Sequence, residues 1–151
     1  VLYAEISSIN DGNYKFIGLS DGTTTNRIGL FLGNSNDKIS IESAGSGTNA
    51  GIYDKVIITK NNNKIALKYK ANDCALWING LELGVDTTFS AFTDGTLTQL
   101  NFNRGDGLFP LYNRTKEVGV FKEALTDSEL EALTSWDSFN DMATGQEYSI
   151  R

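Results

Sequence analysis

The sequence predicts an all-β protein: two antiparallel sheets packed face to face, with one short helix near residues 126–134. Three observations carry this. Apolar residues alternate with polar or small ones at 65–69, 74–78 and 117–121, the period of a strand with one buried face. Asn79-Gly80 follows the second of these runs, the dipeptide best suited to a two-residue type I′ turn because both central residues need φ > 0. Fifteen Gly and one Pro, amid abundant Asn, Thr, Ser and Asp, imply many turns between short strands.

In chain order, Leu2, Ala4 and Ile6 alternate with Tyr3 and Glu5 as a first strand. Asn10–Asn13 reads as a turn, Phe16–Leu19 as a second strand, and Ser20–Asn26 as a polar loop of turn formers. Arg27–Leu32 is the third strand, and Ile39 and Ile41 mark a fourth after a loop at 33–37. The Gly/Ser-rich stretch 43–51 reads as a loop within one domain, because strand residues resume over Tyr53–Thr59. Ile65, Leu67 and Tyr69 then alternate with Ala66, Lys68 and Lys70, and Ala71-Asn72-Asp73 turns the chain. Cys74, Leu76 and Ile78 share one face, with Ala75 and Trp77 on the other, and Leu81 and Leu83 begin a third strand. This meander has an apolar face that needs a second sheet to cover it.

Residues 85–95 read as irregular, with Phe89 and Phe92 placed to plug one end of the sandwich. Leu97, Leu100 and Phe102 lead into a tight polar loop, Asn103–Gly107, and Phe109–Tyr112 precedes a strand at Glu117–Lys122. Thr126-Asp-Ser-Glu129 fits a capping box, in which Thr126 accepts from the Glu129 amide and the Glu129 side chain returns the bond. Leu125 and Leu130 take the staple positions, and Asp127 and Glu129 lie at the positive end of the helix dipole. The helix is expected to stop at Thr134 and pack on the sandwich edge. Trp136 and Phe139 are expected to anchor the tail, and 146–151 to form a closing strand.

Composition excludes several function classes. At 151 residues the chain is most simply one domain with a core of its own. One Cys rules out an internal disulfide, and Cys74, inside an apolar alternation, reads as a small core residue. The absence of His removes the Ser-His-Asp triad, the usual zinc sites and the commonest general base. A formal charge of −6 leaves no electrostatic footprint for nucleic acid or anionic membrane. No apolar run is long enough to predict membrane insertion. The chain begins at Val1 directly in strand-like sequence, so it is expected to be a domain excised from a longer protein.

Four blocks of the chain resemble a known family. "LSDGT-x-x-NR" within 19–32, "ALKYK-x-ND-x-ALW-x-NG" within 64–84, "LNF-x-x-G-x-G" within 100–112 and "EV-x-VFKEALTD-x-EL-x-ALTS" at 117–135 occur in the family's order. They are similar to concanavalin A-like jelly-roll domains, and among these to the laminin-G-like modules of bacteriophage tail-fibre and virion surface proteins. One departure concerns the loop after Tyr112, where Asn113-Arg114 replaces the family's Gly. The resemblance implies a jelly-roll sandwich and a virion-surface or extracellular setting. Its implied partners are a cell-surface or extracellular polysaccharide and other virion subunits, with a homo-oligomer as a candidate state. It leaves room for calcium at a rim, through Asp21, Asp86 and Asp106, although no spacing here matches a defined calcium loop.

No catalytic pattern stands out. Jelly-roll glycanases place paired carboxylates on one strand as Glu-x-Asp-x-x-Glu, and no such run exists: Glu5 and Glu82 are isolated between apolar residues. Tyr69 and Tyr112 could serve a tyrosine-based mechanism, but tyrosines at strand positions are ordinarily core or rim residues. Trp77 is the leading ligand candidate, since an outward indole can cover the apolar face of a sugar; the competing reading packs it under a loop or a sister subunit. Asp21, Asn26 and Arg27 share one loop, and Asn101, Asn103, Arg104 and Asp106 share another, with Tyr112 beyond it. These groups bond hydroxyls with fixed geometry; the competing reading is ordinary turn chemistry. Asn113-Arg-Thr115 matches a glycosylation sequon, and Arg104-Gly-Asp106 an adhesion tripeptide, by letters only. The favoured function is non-catalytic carbohydrate or receptor recognition. The alternative is a structural module that packs subunits together, and a polysaccharide-degrading enzyme ranks last.

Overall fold

The computed structural model describes residues 1–7, 14–33, 37–45, 50–53, 55–56, 61–112 and 114–145. Ten strands and two helices follow in order: β1 Leu2–Ser7, β2 Lys15–Ser20, β3 Arg27–Leu32, β4 Lys38–Ala44, β5 Lys55–Val56, β6 Asn63–Lys70, β7 Asp73–Ile78, β8 Leu81–Asp86, β9 Gln99–Asn101, β10 Arg114–Val120, α1 Asp127–Thr134 and α2 Phe139–Gly145. They build two antiparallel five-stranded sheets, β10-β1-β6-β7-β8 and β5-β4-β3-β2-β9, in the expected two-sheet sandwich of jelly-roll-like layout. Non-consecutive strands lie side by side (β1 with β6 and β10, β2 with β9), so each sheet is assembled from distant parts of the chain.

The central meander has the expected register. Ile65 lies opposite Ile78, Leu67 opposite Leu76 and Tyr69 opposite Cys74. Asn79 and Gly80 both take positive φ (51° and 82°), as a two-residue turn matched to strand twist requires. The inward residues of both sheets, among them Leu2, Ala4, Ile17, Ile28, Leu30, Ile41, Leu67, Leu76 and Ile78, form the main core. Phe89 is fully buried in it, and Phe92 packs against it, meeting Phe89 edge to face.

A second apolar layer lies on the far side of the first sheet. Val1, Tyr3, Ala66, Ala75 and Trp77 pack there beneath Leu130 of α1, with Phe121, Leu125 and Leu133 around them. Strands β6 and β7 of the meander are therefore buried on both faces, not on one, while β8 stays largely exposed. The capping box is present as read from the sequence, with Glu129 N donating to Thr126 Oγ1 and Thr126 N donating to Glu129 Oε2.

Several boundaries differ from expectation. The strand expected at Glu117–Lys122 runs over Arg114–Val120, β8 extends to Asp86, and β9 and α2 are additional elements. Only Lys55–Val56 of the expected Tyr53–Thr59 strand is described as strand. The turn at 10–13 and the closing strand at 146–151 lie outside the described residues. No described helix is long and apolar enough to cross a membrane.

Candidate functional site

Trp77 corrects the leading expectation. It does point away from the main core, but it is only 7% exposed because α1 lies over it. Its indole N–H has no hydrogen-bond partner among the described residues. No sugar can stack on this ring while the helix is docked. Strand alternation gives the face a residue occupies, not what covers that face.

The two polar loops, by contrast, converge at one end of the second sheet. Ser20, the last residue of β2, is the junction. Its Oγ accepts from Gly22 N at 3.0 Å and from Asn101 Nδ2 at 2.6 Å, and its carbonyl accepts from Thr98 N at 2.8 Å. Gly105 reaches across to the first loop: a Cβ there would stand 2.8 Å from the Thr23 carbonyl oxygen, so only glycine lets the loops meet this closely. Within the first loop, Asp21 accepts from Thr23 N, Thr23 Oγ1 and Asn26 Nδ2 at 2.6–2.8 Å. In the second, Asn103 Oδ1 accepts from Gly105 N and Gly107 N. These bonds are turn chemistry, and they also hold the residues in a fixed arrangement.

Both arginines of this rim carry a carboxylate partner. Arg27, at the start of β3, donates to Glu42 of β4 and to the Thr24 carbonyl. Arg104 donates to Asp106 Oδ2 through Nη2 at 2.5 Å and through Nε at 3.2 Å. The hydrogen bond from Arg104 holds the Asp106 carboxyl below the ordinary carboxylate value. Hydrogen bonds from Thr23 and then Asn26 do the same for Asp21.

Toward the other end of β2 and β3, reached from the second loop through Arg104, lies an aromatic cluster that the sequence reading did not single out. Tyr14 and Phe31 stack with ring centroids 5.1 Å apart, and Phe109 meets both rings edge-on at 5.6 Å. The Arg104 guanidinium lies 4.7 Å from the Phe109 centroid. Beneath them, Phe16 lies across two facing glycines. A Cβ on Gly18 or Gly29 would come within 2.5 or 2.6 Å of its ring, so both positions exclude any side chain. Phe109 takes φ of 53°, a conformation that a bulky residue rarely adopts and that costs on the order of 1–3 kcal/mol. The chain is held there by the Phe16 N–H, which donates to the Phe109 carbonyl at 2.9 Å. The signal in the sequence was parity: with Ile28, Leu30 and Leu32 inward, Arg27, Gly29 and Phe31 must face out.

Other expected residues fall elsewhere. Tyr112 is 79% exposed. Asp86, the last residue of β8, lies on the other sheet and accepts from Gly51 N, Thr88 N and Thr88 Oγ1. Asp21, Asp86 and Asp106 do not form a shared metal-binding group, and the described residues contain no cluster of three or more His, Cys, Asp or Glu side chains that could hold a metal. Glu5 is buried, paired with Lys116 Nζ at 2.9 Å and accepting from Asn62. A distinct open cleft of about 830 Å³ runs between β9 and the end of β10, lined by Phe92, Leu97, Leu100, Val120 and Phe121 among others.

No family model, curated protein or solved structure matches this chain.

Proposed function

We propose that this chain is a non-catalytic glycan-recognition module whose site is the rim built by Tyr14, Phe31 and Phe109 together with Asp21, Asn26, Arg27, Asn101, Asn103, Arg104 and Asp106. One observation carries the reading: two loops distant in sequence meet at the Ser20 end of β2, and the second runs on through Arg104 to a part-exposed aromatic cluster at the other end, with its hydrogen-bonding groups already fixed. Tyr14 is 44% exposed and offers a ring face. A contact covering roughly 60 Å² of apolar sugar surface is worth about 1.5 kcal/mol. Carboxylates, carboxamides and guanidinium groups add directional bonds to hydroxyls. The lack of His and of paired carboxylates on one strand supports a binding rather than a catalytic role. The resemblance to virion surface modules supports an extracellular, particle-borne setting and a polysaccharide as partner.

The test is titration of glycans into wild type, Tyr14→Ala and Asn103→Ala, with melting curves as the folding control. Wild type is expected to bind a responsive glycan with Kd near 1 mM, about −4 kcal/mol, and both variants to weaken it without unfolding. Variants that bind like wild type would place the site elsewhere.

A second reading, a module that packs subunits together, is favoured by the edge strands. Leu100 lies opposite Leu19, and Val120 opposite Leu2, so both belong to the core faces, yet they remain 40% and 50% exposed at the cleft. A stable oligomer in sedimentation, together with no glycan binding, would favour it.

A further inference from the structure

Resting on the rim as the glycan site, we propose that its ligand is a neutral polyhydroxylated chain and that sulfated and uronate polymers are excluded. Sulfate and carboxylate groups are ordinarily captured by arginine forks, which present planar, paired donors. Here both forks are already engaged by the protein's own carboxylates. Arg27 directs Nε and Nη2 to Glu42 Oε1, and Nη1 to the Thr24 carbonyl. Arg104 directs Nε and Nη2 to Asp106 Oδ2, with its central carbon over the Phe109 ring. An incoming anion would have to displace Glu42 or Asp106 from a charge-assisted bond and then sit beside the displaced carboxylate.

The local charge offers an anion no attraction. Glu42 pairs with Arg27 and Asp106 with Arg104, and Asp21 adds a further carboxylate in the first loop. Lys15, between Tyr14 and Phe16, and Lys38 against Asp37 bring the count over these residues to zero. The whole chain carries −6. At physiological salt the screening length is about 8 Å, so an anionic polymer gains no net pull from these paired charges. A neutral hydroxyl needs to displace none of them. It can donate to a carboxylate oxygen and accept from a guanidinium N–H without breaking the internal pairs, since both bonds of Arg27 to Glu42 fall on Oε1 and leave Oε2 for a ligand.

Affinity electrophoresis in gels containing soluble polymers tests this directly. The neutral panel is dextran, galactomannan and xylan; the anionic panel is dextran sulfate, carrageenan and alginate. At least one neutral polymer is expected to retard the protein, with less than about a two-fold change between roughly 50 and 500 mM NaCl. Tyr14→Ala should abolish that retardation, and the anionic gels should give none. Asp106→Asn releases the Arg104 fork, so this variant should gain retardation by dextran sulfate that fades as salt rises. Tighter binding of wild type to the anionic panel overturns the inference; the rim survives as the site if Tyr14→Ala removes that binding. An Asp106→Asn variant with no gain on dextran sulfate also overturns it, because internal pairing would then not be what excludes anions. Retardation by no polymer of either kind overturns both the inference and the rim reading.

Discussion

Leu76 shows how much one side chain holds. It is fully buried on the inner face of β7, opposite Leu67 on one side and Gly84 on the other. Leu76→Ala removes that burial and leaves a cavity, so urea melts should show a loss on the order of 2–5 kcal/mol. A loss near zero would mean that this face does not form the core. Cys74, two residues earlier on the same face, is equally buried. Burial, followed by the charges of Asp86 and Asp73, pushes its thiol up to about 12. The thiolate is the reactive form, so a disulfide reagent at pH 8 should leave the native protein unmodified and label it at once in denaturant. Rapid labelling of the native state would contradict the packing described here.

Helix α1 acts as a strap along the outside of the first sheet. Its eight residues span about 12 Å at 1.5 Å each, close to the roughly 13 Å between Lys64 and Lys68 on β6. These two lysines fasten its ends. Lys68 Nζ lies 2.7 Å from Asp127 and from Asp73, while Lys64 Nζ donates to the Ser135 carbonyl at 3.0 Å and lies over the Trp136 ring. Gly80 N, from the β7–β8 turn, donates to Thr134 Oγ1. Thr126→Ala should cost roughly 0.5–2 kcal/mol in denaturant melts by removing the cap; curves that overlay wild type would show that the cap contributes nothing. Burial lowers the Lys68 pKa, but bonds to Asp127 and Asp73 outweigh it and leave the group above its ordinary 10.5. The native state thus binds this proton more tightly than the unfolded chain. The resulting stabilisation is complete below pH 10.5 and is lost as pH rises through the native value. A Lys68→Met variant should therefore lose less stability than wild type over that alkaline range, measured as the difference in melting temperature; parallel curves would show that the pair contributes nothing.

The same helix shows what a sequence can disclose. Its cap was legible because Thr126 and Glu129 are three residues apart and bond each other. Its docking over Trp77 was not, because that contact joins residues about fifty apart and leaves no mark on the alternation of β7. A comparable cap for α2 was present but passed unread: Ser138 Oγ accepts from Asp141 N at 3.1 Å and donates to Asp141 Oδ2.

For the whole molecule, the sandwich itself was legible because every inward run follows a period of two. The candidate site was legible only in pieces. Each loop named its own polar residues, but nothing local says that β9 pairs with β2 and so brings Asn101 to Ser20. Weak single-site binding becomes useful when several copies engage one polymer, since linkage raises the effective concentration without new contacts. Fusing the chain to a trimeric coiled coil should therefore tighten binding to a long glycan by about 10²-fold or more, read by surface plasmon resonance. A short oligosaccharide should gain nothing, and equal gains for both would argue against a repeated-site mechanism.

The placement of α1 also determines what light can report. The chain has two tryptophans. One lies beneath the strap, and the other sits just past its end against Lys64. The rim carries tyrosine and phenylalanine instead. Excitation at the red edge of the indole band would thus watch the strap lift from its sheet and be nearly blind to a sugar arriving on the opposite side of the sandwich. A change in emission during a glycan titration would then be a signature of communication through the core, not of contact.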